Sequence, residues 1–133
     1  MTTPTHPTHP VLPIGATREE TLDTKPGQGV THMGATPMIS TPVMIGLMEG
    51  VCMRMLQEKL PKPQTSVGTV VNIRHLAAAP AGQPVRIAIK FVQCEGRRYT
   101  WEVAAYSGDK KIGDGLHERA VIDPSRFQLK GAG

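Results

Sequence analysis

The clearest pattern of hydrophobic positions in the chain begins directly after Thr41-Pro42. From Val43 to Leu60 the apolar side chains recur at steps of three and four residues, the spacing of one face of an α-helix. Threonine followed by proline is a favourable pair for the N-cap and the first helical position. Pro61 and Pro63 cannot continue a helix. The pattern therefore predicts a helix that ends at Leu60, with Thr41 as its N-cap and a first half buried over most of its circumference.

Glu49 is a carboxylate within the most apolar part of this predicted helix. Desolvation penalises a charged carboxylate, so that such a group either takes up a proton or needs a dedicated partner. Glu49 is thus a candidate functional residue, although an ion pair with a neighbouring basic residue would also account for it. The charges of Glu49, Arg54 and Glu58 argue against a helix that spans a bilayer.

After the helix, the hydrophobic period changes to that of β-strands. Alternating or β-branched runs predict strands over residues 66–75, 85–94, 99–106 and 111–122, and a weaker one before the helix over 15–22. Short turns at 95–98 and 107–109 join the last three strands into an antiparallel meander. One long helix followed by an antiparallel sheet predicts an α+β domain in which the sheet wraps the helix.

Composition and length predict one small domain. The 133 residues, 39% of them hydrophobic, suffice for one core. We predict a disordered tail over residues 1–10, where Thr-His-Pro repeats and no apolar run occurs, and a single domain over residues 11–130. His6 and His9 lie in this tail, and we expect no metal site there.

Location and ligand class follow from the same composition. The N-terminus lacks the basic and apolar stretches of a signal peptide. Cys52 and Cys94 fit buried reduced thiols of a cytoplasmic protein, although the sequence leaves a disulfide open. A net charge of +4 and a pI near 9.3 favour anionic ligands. With five aromatic residues and no recognition motif, a small phosphorylated ligand is favoured over nucleic acid.

Several short segments together resemble the hotdog-fold thioesterases, and within them the fluoroacetyl-coenzyme A (CoA) thioesterase-like branch. The similarity covers about residues 11–127 and rests on Thr41-Pro42 with Glu49 and Cys52, Ser66 to Thr69, Arg74-His75, Glu95 to Arg98, and Ile112 to Asp123. The resemblance implies a hotdog fold, hydrolysis of an acyl-CoA thioester, and a homodimer or higher oligomer. It implies no cofactor, metal, nucleic acid or membrane.

The resemblance also implies roles for individual residues. Thr41, Glu49 and His75 correspond to the catalytic set, and Gly68 to a residue lining the acyl pocket. An imidazole can accept the proton of the attacking water, a carboxylate can orient that imidazole or attack the carbonyl itself, and a threonine can position the water or the carbonyl. The N–H groups at the helix start would be natural oxyanion donors. From the residues alone, Thr41 could be an N-cap only and His75 a surface residue.

His117 and Arg119 alternate on the last predicted strand. They are candidate substrate-binding residues, for the acyl group or a ligand phosphate, while hydrogen bonding within the sheet is an equal alternative. Thr41 and Glu49 cannot touch within one chain, because eight helical residues rise about 12 Å. Either His75 bridges them or a second subunit completes the site, and the edge-to-edge dimers of the hotdog family favour the second alternative.

The segment over residues 33–38 contains no aromatic side chain. Fluoroacetate-specific members of the family carry a bulky aromatic gate there. The chain departs from that pattern, and its small residues and abundant methionines predict a more open and adaptable acyl site. The alternative function is a hotdog module that binds acyl-CoA or another anionic small ligand without hydrolysing it. A hydratase of the same fold is disfavoured, because the sequence has no Asp-x-x-x-x-His motif.

Overall fold

The computed structural model describes residues 10–32, 34 and 36–126. In chain order the elements are β1 (Thr17–Leu22), a 3₁₀ turn (Pro26–Gln28), β2 (Gly29–Val30), β3 (Met38–Ile39), α1 (Thr41–Gln57), β4 (Thr65–His75), β5 (Val85–Glu95), β6 (Arg98–Ser107), β7 (Lys110–Ile122) and a second 3₁₀ turn (Pro124–Arg126). The tail predicted over residues 1–10 lies outside the described residues except for Pro10, and the predicted domain end at 127–130 lies outside them too.

The main sheet has five antiparallel strands in the order β1-β5-β6-β7-β4. Its hairpins turn at Gly96 and Gly108, whose positive φ values of 62° and 59° suit glycine. The predicted meander of β5, β6 and β7 is confirmed. The weaker prediction of a strand before the helix is confirmed as well, since β1 pairs with β5.

The helix α1 packs against one face of this sheet and forms the core with it. Residues of β5 alternate between buried and less buried positions, as the sequence predicted. The aromatic rings of Phe91, Tyr99 and Trp101 pack together beneath the helix. From α1 the core receives Met44, Met48, Val51, Cys52, Met55 and Leu56.

Both predicted ends of the helix are wrong by a short distance. The N-cap is Ser40, whose Oγ accepts a hydrogen bond from the Val43 N–H at 3.3 Å, and Thr41 is the first helical residue. Serine fills the cap as well as threonine does, and it leaves the Thr41 hydroxyl free for another partner. The helix ends at Gln57, and Leu60 lies in a turn instead, where its N–H donates to the Gln57 carbonyl.

The two-stranded pair of β2 and β3 was not predicted. Two-residue strands are too short to show an alternating pattern, so no periodic signal predicts them. This pair lies directly before α1 along the chain, and Ile39 of β3 hydrogen bonds to Ala79 beyond β4. It therefore frames the start of the helix.

Among the described residues, strand β4 forms one edge of the sheet and pairs only with β7. Three of its valines, Val67, Val70 and Val71, are 42–46% exposed. The register between β4 and β7 shifts between Gly68 and Val70, which marks a β-bulge. An edge strand of 11 residues that carries exposed valines is a surface on which another strand can pair.

The two cysteines are both free. Cys52 is fully buried, as predicted, whereas the prediction that Cys94 is buried is wrong. Cys94 is half-buried because it lies at the end of β5, next to the exposed hairpin turn. No helix among the described residues is long and apolar enough to cross a membrane.

Candidate active site

The candidate site residues form two separate groups on one chain. The first group, the helix-start pair, consists of Thr41 at the first turn of α1 and His75 at the end of β4. Thr41 Oγ1 lies 2.8 Å from His75 Nδ1, a hydrogen-bond distance. The other ring nitrogen, His75 Nε2, is buried and has no hydrogen-bond partner among the described residues.

The helix-start pair lines a pocket of about 550 Å³. Apart from these two residues the lining is mostly apolar or small, with one further imidazole, that of His32. The remaining lining residues are Val30, Met38, Ile39, Ser40, Pro42, Leu76, Ala77 and Ala78. The pocket therefore offers an apolar volume with a hydroxyl and an imidazole in its wall, which suits a small ligand with one reactive polar group.

The second group, the arginine cluster, consists of Glu49, Ser66, Gly68, His117 and Arg119. The Arg119 guanidinium donates from Nε to Ser66 Oγ at 2.8 Å and from Nη2 to the Ser66 carbonyl oxygen at 3.1 Å. Its Nη1 lies 3.2 Å from His117 Nε2. Arg119 is 6% exposed, so a buried cation is held by three hydrogen bonds.

Glu49 faces this buried cation across the space beside Gly68. Glu49 Oε2 lies 4.0 Å from His117 Nε2. A β-carbon at position 68 would lie 3.0 Å from Glu49 Oε2 and 3.6 Å from Arg119 Nη1, so that only glycine leaves this space open. The Glu49 side chain is 35% exposed. The predicted need of Glu49 for a partner is thus met by nearby cationic and imidazole groups together with partial access to solvent.

Burial shifts the pKa values of three side chains in and beside the arginine cluster. Desolvation lowers the pKa of His117, and the nearby Arg119 cation lowers that pKa further. Desolvation also lowers the pKa of Arg119, which the Glu49 carboxylate partly offsets. The thiol of Cys52 has its pKa raised to about 12 by burial, so that it stays protonated and unreactive near neutral pH.

Within one chain, the described residues show no hydrogen bond or ion pair between Glu49 and His75. The helix-start pair brings together two of the three predicted catalytic residues, and Glu49 lies instead with Gly68, His117 and Arg119. The predicted set of oxyanion donors at the helix start is wrong in part. Pro42 has no N–H, and the N–H groups of Val43 and Met44 are already bonded to Ser40.

Sequence reasoning missed Ser66 and His32. Ser66 is a buried polar residue on β4, opposite Val121 in the sheet register and bonded to Arg119. A small polar residue at an inward position of a strand was the only available signal. His32 lies between the short strands that the sequence did not predict.

Comparisons with known proteins identify the family. Residues 17–125 match the model of the FlK family, fluoroacetyl-CoA-specific thioesterase. The chain is 40% identical to the fluoroacetyl-CoA thioesterase of Streptantibioticus cattleyicolor over 93 aligned residues. The aligned region covers 70% of this chain and 67% of the relative.

Solved structures agree with this match. The fluoroacetyl-CoA thioesterase FlK superposes with a TM-score of 0.80 at 32% identity, over 87% of this chain and 92% of FlK. A FlK mutant in complex with fluoroacetate and CoA superposes with a TM-score of 0.81 at 33% identity, over 88% of this chain and 100% of the mutant. A thioesterase superfamily member from Thermus thermophilus gives 0.76 at 26% identity, over 86% of both chains. The chain therefore has the hotdog fold and belongs to the fluoroacetyl-CoA-specific thioesterase family, as its motifs predicted.

Proposed function

We propose that this protein hydrolyses a short acyl-CoA thioester to the free acid and CoA, with Thr41, Glu49 and His75 as catalytic residues in a site shared by two subunits. The observation that carries the proposal is the helix-start pair in the wall of an apolar pocket, with one imidazole nitrogen left unpartnered. Solved structures of FlK contain fluoroacetate with CoA, and acetyl-CoA. Both acyl groups are short, which supports a short acyl substrate here.

The chemistry requires a nucleophile, a proton acceptor and a proton donor. In one route, water attacks the thioester carbonyl carbon and gives its proton to His75 or Glu49. The C–S bond then breaks, its electron pair goes to sulfur, and the same base returns a proton to the CoA sulfur. In the other route, the Glu49 carboxylate attacks the carbonyl carbon, the C–S bond breaks, and CoA leaves as a thiolate that takes a proton from His75. Water then hydrolyses the acyl-enzyme anhydride, which releases the free acid and restores the Glu49 carboxylate and the protonated His75. In both routes the carboxylate and the imidazole act at the same carbonyl group, one as base or nucleophile and the other by orienting it or by exchanging a proton with the leaving group.

Thr41 has a defined part in either route. If its hydroxyl donates to His75 Nδ1, the ring carries its proton on Nε2 and can donate it to the leaving sulfur. If Nδ1 carries the proton instead, Nε2 offers a lone pair to the attacking water. The 2.8 Å contact thus fixes the ring while the unpartnered nitrogen works on the substrate.

A homodimer would unite the two groups of residues. Gly68 and His75 lie on the same edge strand, β4, whose outer edge has no partner within the described part of one chain. If two copies pair antiparallel along β4 with the two-fold axis near Val71 and Asn72, each Gly68 comes to lie close to the His75 of the other copy. Pairing would also cover the exposed valines of β4.

Gly68 and Arg119 are the proposed substrate contacts. The space beside Gly68 is open for an acyl group, and Arg119 Nη1 borders it. A cation beside the carbonyl oxygen would stabilise the negative charge that develops there. His117 is the third candidate substrate-binding residue, and both of its ring nitrogens are bonded within the protein.

A cytoplasmic location is part of the proposal. Its support is that both cysteines are free, which fits a reducing compartment.

The first experiment is a screen for released CoA thiol over acyl-CoA substrates of increasing chain length. We expect turnover that is fastest with the short chains. If acyl-CoA raises the melting temperature but no thiol is released, the protein is a binding module and the proposal is wrong.

The second experiment tests the shared site directly. Glu49→Gln and His75→Ala chains, each with its own affinity tag, are co-expressed and the mixed dimer is purified. If each site takes its Glu49 and His75 from different chains, one of the two sites in the mixed dimer is intact and about half of the wild-type turnover returns. If both residues act within one chain, each chain is defective and the mixed dimer stays as inactive as the two parent variants.

A further inference from the structure

His117 is a titratable side chain at the centre of the arginine cluster, and no step of the proposed reaction uses it. It is fully buried on β7. Its Nδ1 lies 2.8 Å from the carbonyl oxygen of Val70, and its Nε2 lies 3.2 Å from Arg119 Nη1. Because neither ring nitrogen is free, a direct contact with substrate is not available to it in this arrangement.

These two contacts fix the tautomer of the ring. A carbonyl oxygen only accepts, so Nδ1 must carry a proton and donate it to Val70. A guanidinium only donates, so Nε2 must offer its lone pair to Arg119. A second proton on the ring would point from Nε2 at the guanidinium cation. Burial and that cation both lower the pKa of His117, which agrees with the neutral form.

The same contacts fix the plane of the Arg119 guanidinium. Ser66 accepts two of its hydrogen bonds, through Oγ and through the backbone carbonyl, and His117 accepts the third. Three acceptors in different directions hold a planar group in one orientation, with Nη1 at the border of the space beside Gly68. Glu49 Oε2 borders the same space from the side of the helix.

We propose that His117 is a positioning residue that, as the neutral tautomer protonated on Nδ1, holds the Arg119 guanidinium beside Gly68 and opposite the Glu49 carboxylate. It acts on the reaction only through Arg119, and in its kinetic consequences the inference rests on the proposed thioesterase function. The β-bulge between Gly68 and Val70 is part of this arrangement. The carbonyl oxygen of Val70, at the end of the bulge, accepts the hydrogen bond from His117 Nδ1.

The tautomer is tested first, on the wild-type protein labelled with ¹⁵N at histidine. The ¹⁵N chemical shifts of a buried ring with Nδ1 protonated and Nε2 unprotonated are expected at neutral pH. A ring protonated on Nε2, or on both nitrogens, would overturn the proposal. This measurement needs no activity, so it stands even if the thiol-release screen fails and the proposed function is wrong.

Two matched variants test the kinetic part. In His117→Asn the amide can replace Nδ1 and keep the bond to Val70, but nothing accepts from Arg119 Nη1. In His117→Gln the amide oxygen can replace Nε2 and accept from Arg119, but the bond to Val70 is lost. We expect kcat to fall by about 10- to 100-fold in His117→Asn, as for a misplaced reacting group, and to be partly rescued in His117→Gln.

A structural role alone would give a different result. Both variants would then lose activity only in proportion to the unfolded fraction, with no rescue by glutamine, and the proposal would be wrong. Ser66→Ala is an independent variant, since it removes the acceptor of Arg119 Nε and leaves His117 and the Ser66 carbonyl in place. Because His117 still holds Arg119 in this variant, we expect a smaller fall in kcat than in His117→Asn, and an equal or larger fall would contradict the proposal. If His117→Asn does not fold, the ¹⁵N measurement on the wild-type protein still decides the tautomer.

Discussion

The helix-start pair and the arginine cluster are built in opposite ways. Thr41 and His75 share one hydrogen bond at the wall of an open pocket, and the second ring nitrogen of His75 is unpartnered. In the arginine cluster the ring nitrogens of His117 are both bonded, and the Arg119 guanidinium has an acceptor at each of its three nitrogens. The helix-start pair leaves His75 Nε2 free to act on a substrate. In the arginine cluster, the hydrogen bonds hold the Arg119 guanidinium in one orientation.

This difference suggests a division of labour. A group that exchanges protons with a substrate needs an unsatisfied position, and unsatisfied polar atoms destabilise the fold. A group that presents a fixed charge needs every other position satisfied, because a buried cation without partners is costly. Glu49 stands between the two extremes, since it is one-third exposed and lies near the cation without a direct hydrogen bond to it.

The largest expected effect comes from removing the charge at Glu49. Glu49→Gln keeps the shape of the side chain, so we expect turnover to fall by about 100-fold or more, as for a lost acid–base or nucleophilic group, with little change in melting temperature. Steady-state thiol release and thermal unfolding measure the two. Glu102→Gln, at an exposed position of β6, is the matched control and should keep wild-type turnover. Near-normal turnover in Glu49→Gln with reduced stability would make Glu49 a structural residue.

The losses of turnover caused by substitutions at Glu49 and at His75 should not be additive. His75→Ala is expected to be as inactive as Glu49→Gln, and the double variant should lose much less than the product of the separate losses, because residues that act as one unit are not additive. A double-mutant cycle on kcat measures this. Fully multiplicative losses would mean that the two groups act independently.

A charge on the free edge of β4 should prevent the two subunits from pairing. The helix-start pair of one copy would then no longer lie near the arginine cluster of the other copy. Val71→Lys places a cation at the proposed two-fold axis, where two copies would repel each other. We expect a monomeric mass in sedimentation at micromolar concentration and a loss of most of the turnover. Gln93→Lys, an exposed position on the inner strand β5, serves as the control. A wild-type protein that sediments as a monomer would contradict the shared site outright.

Thr41 distinguishes a catalytic hydroxyl from a helix cap. Thr41→Val removes one hydrogen bond to His75, and we expect turnover to fall about tenfold, the equivalent of about 1.4 kcal/mol. Thr41→Ser should retain most of the turnover. Because Ser40 is the cap, Ser40→Ala should lower the free energy of unfolding by about 1 kcal/mol, whereas Thr41→Val should leave it nearly unchanged. The opposite pattern in chemical denaturation would restore Thr41 as the N-cap.

The smallest expected effect is a pH dependence of stability from His117. Its pKa is lowered in the folded protein from the ordinary value of 6.5, so the unfolded chain binds a proton first as the pH falls. The contribution of His117 is therefore complete above pH 6.5 and is lost progressively below it. The charged groups that face the ring are Arg119, Glu49 and Glu118. Urea unfolding at a series of pH values from 8 to 5 gives the free energy of unfolding as a function of pH. This free energy should depend less steeply on pH in His117→Gln than in the wild type.

The sequence by itself predicted the helix, the antiparallel meander and the family. These features depend on patterns that are local along the chain: the three- and four-residue spacing after Thr41, the alternation in β5, and short motifs around Glu49, His75 and Arg119. The predicted N-cap was wrong by one residue, because Ser40 and Thr41 are both good caps and only the backbone geometry selects between them.

Only the tertiary structure decided which of the candidate residues meet. Thr41 and His75 are 34 residues apart in the chain, and Ser66 and Arg119 are 53 apart. These contacts depend on the register of β4 against β7, which pairs Gly68 with Arg119 and shifts at the bulge that follows. A shift of one residue in that register would turn every side chain to the other face, and no local pattern in the sequence encodes the bulge. The sequence therefore determined which groups are present, and the sheet register determined that Glu49 lies beside Arg119 and not beside His75 of its own chain.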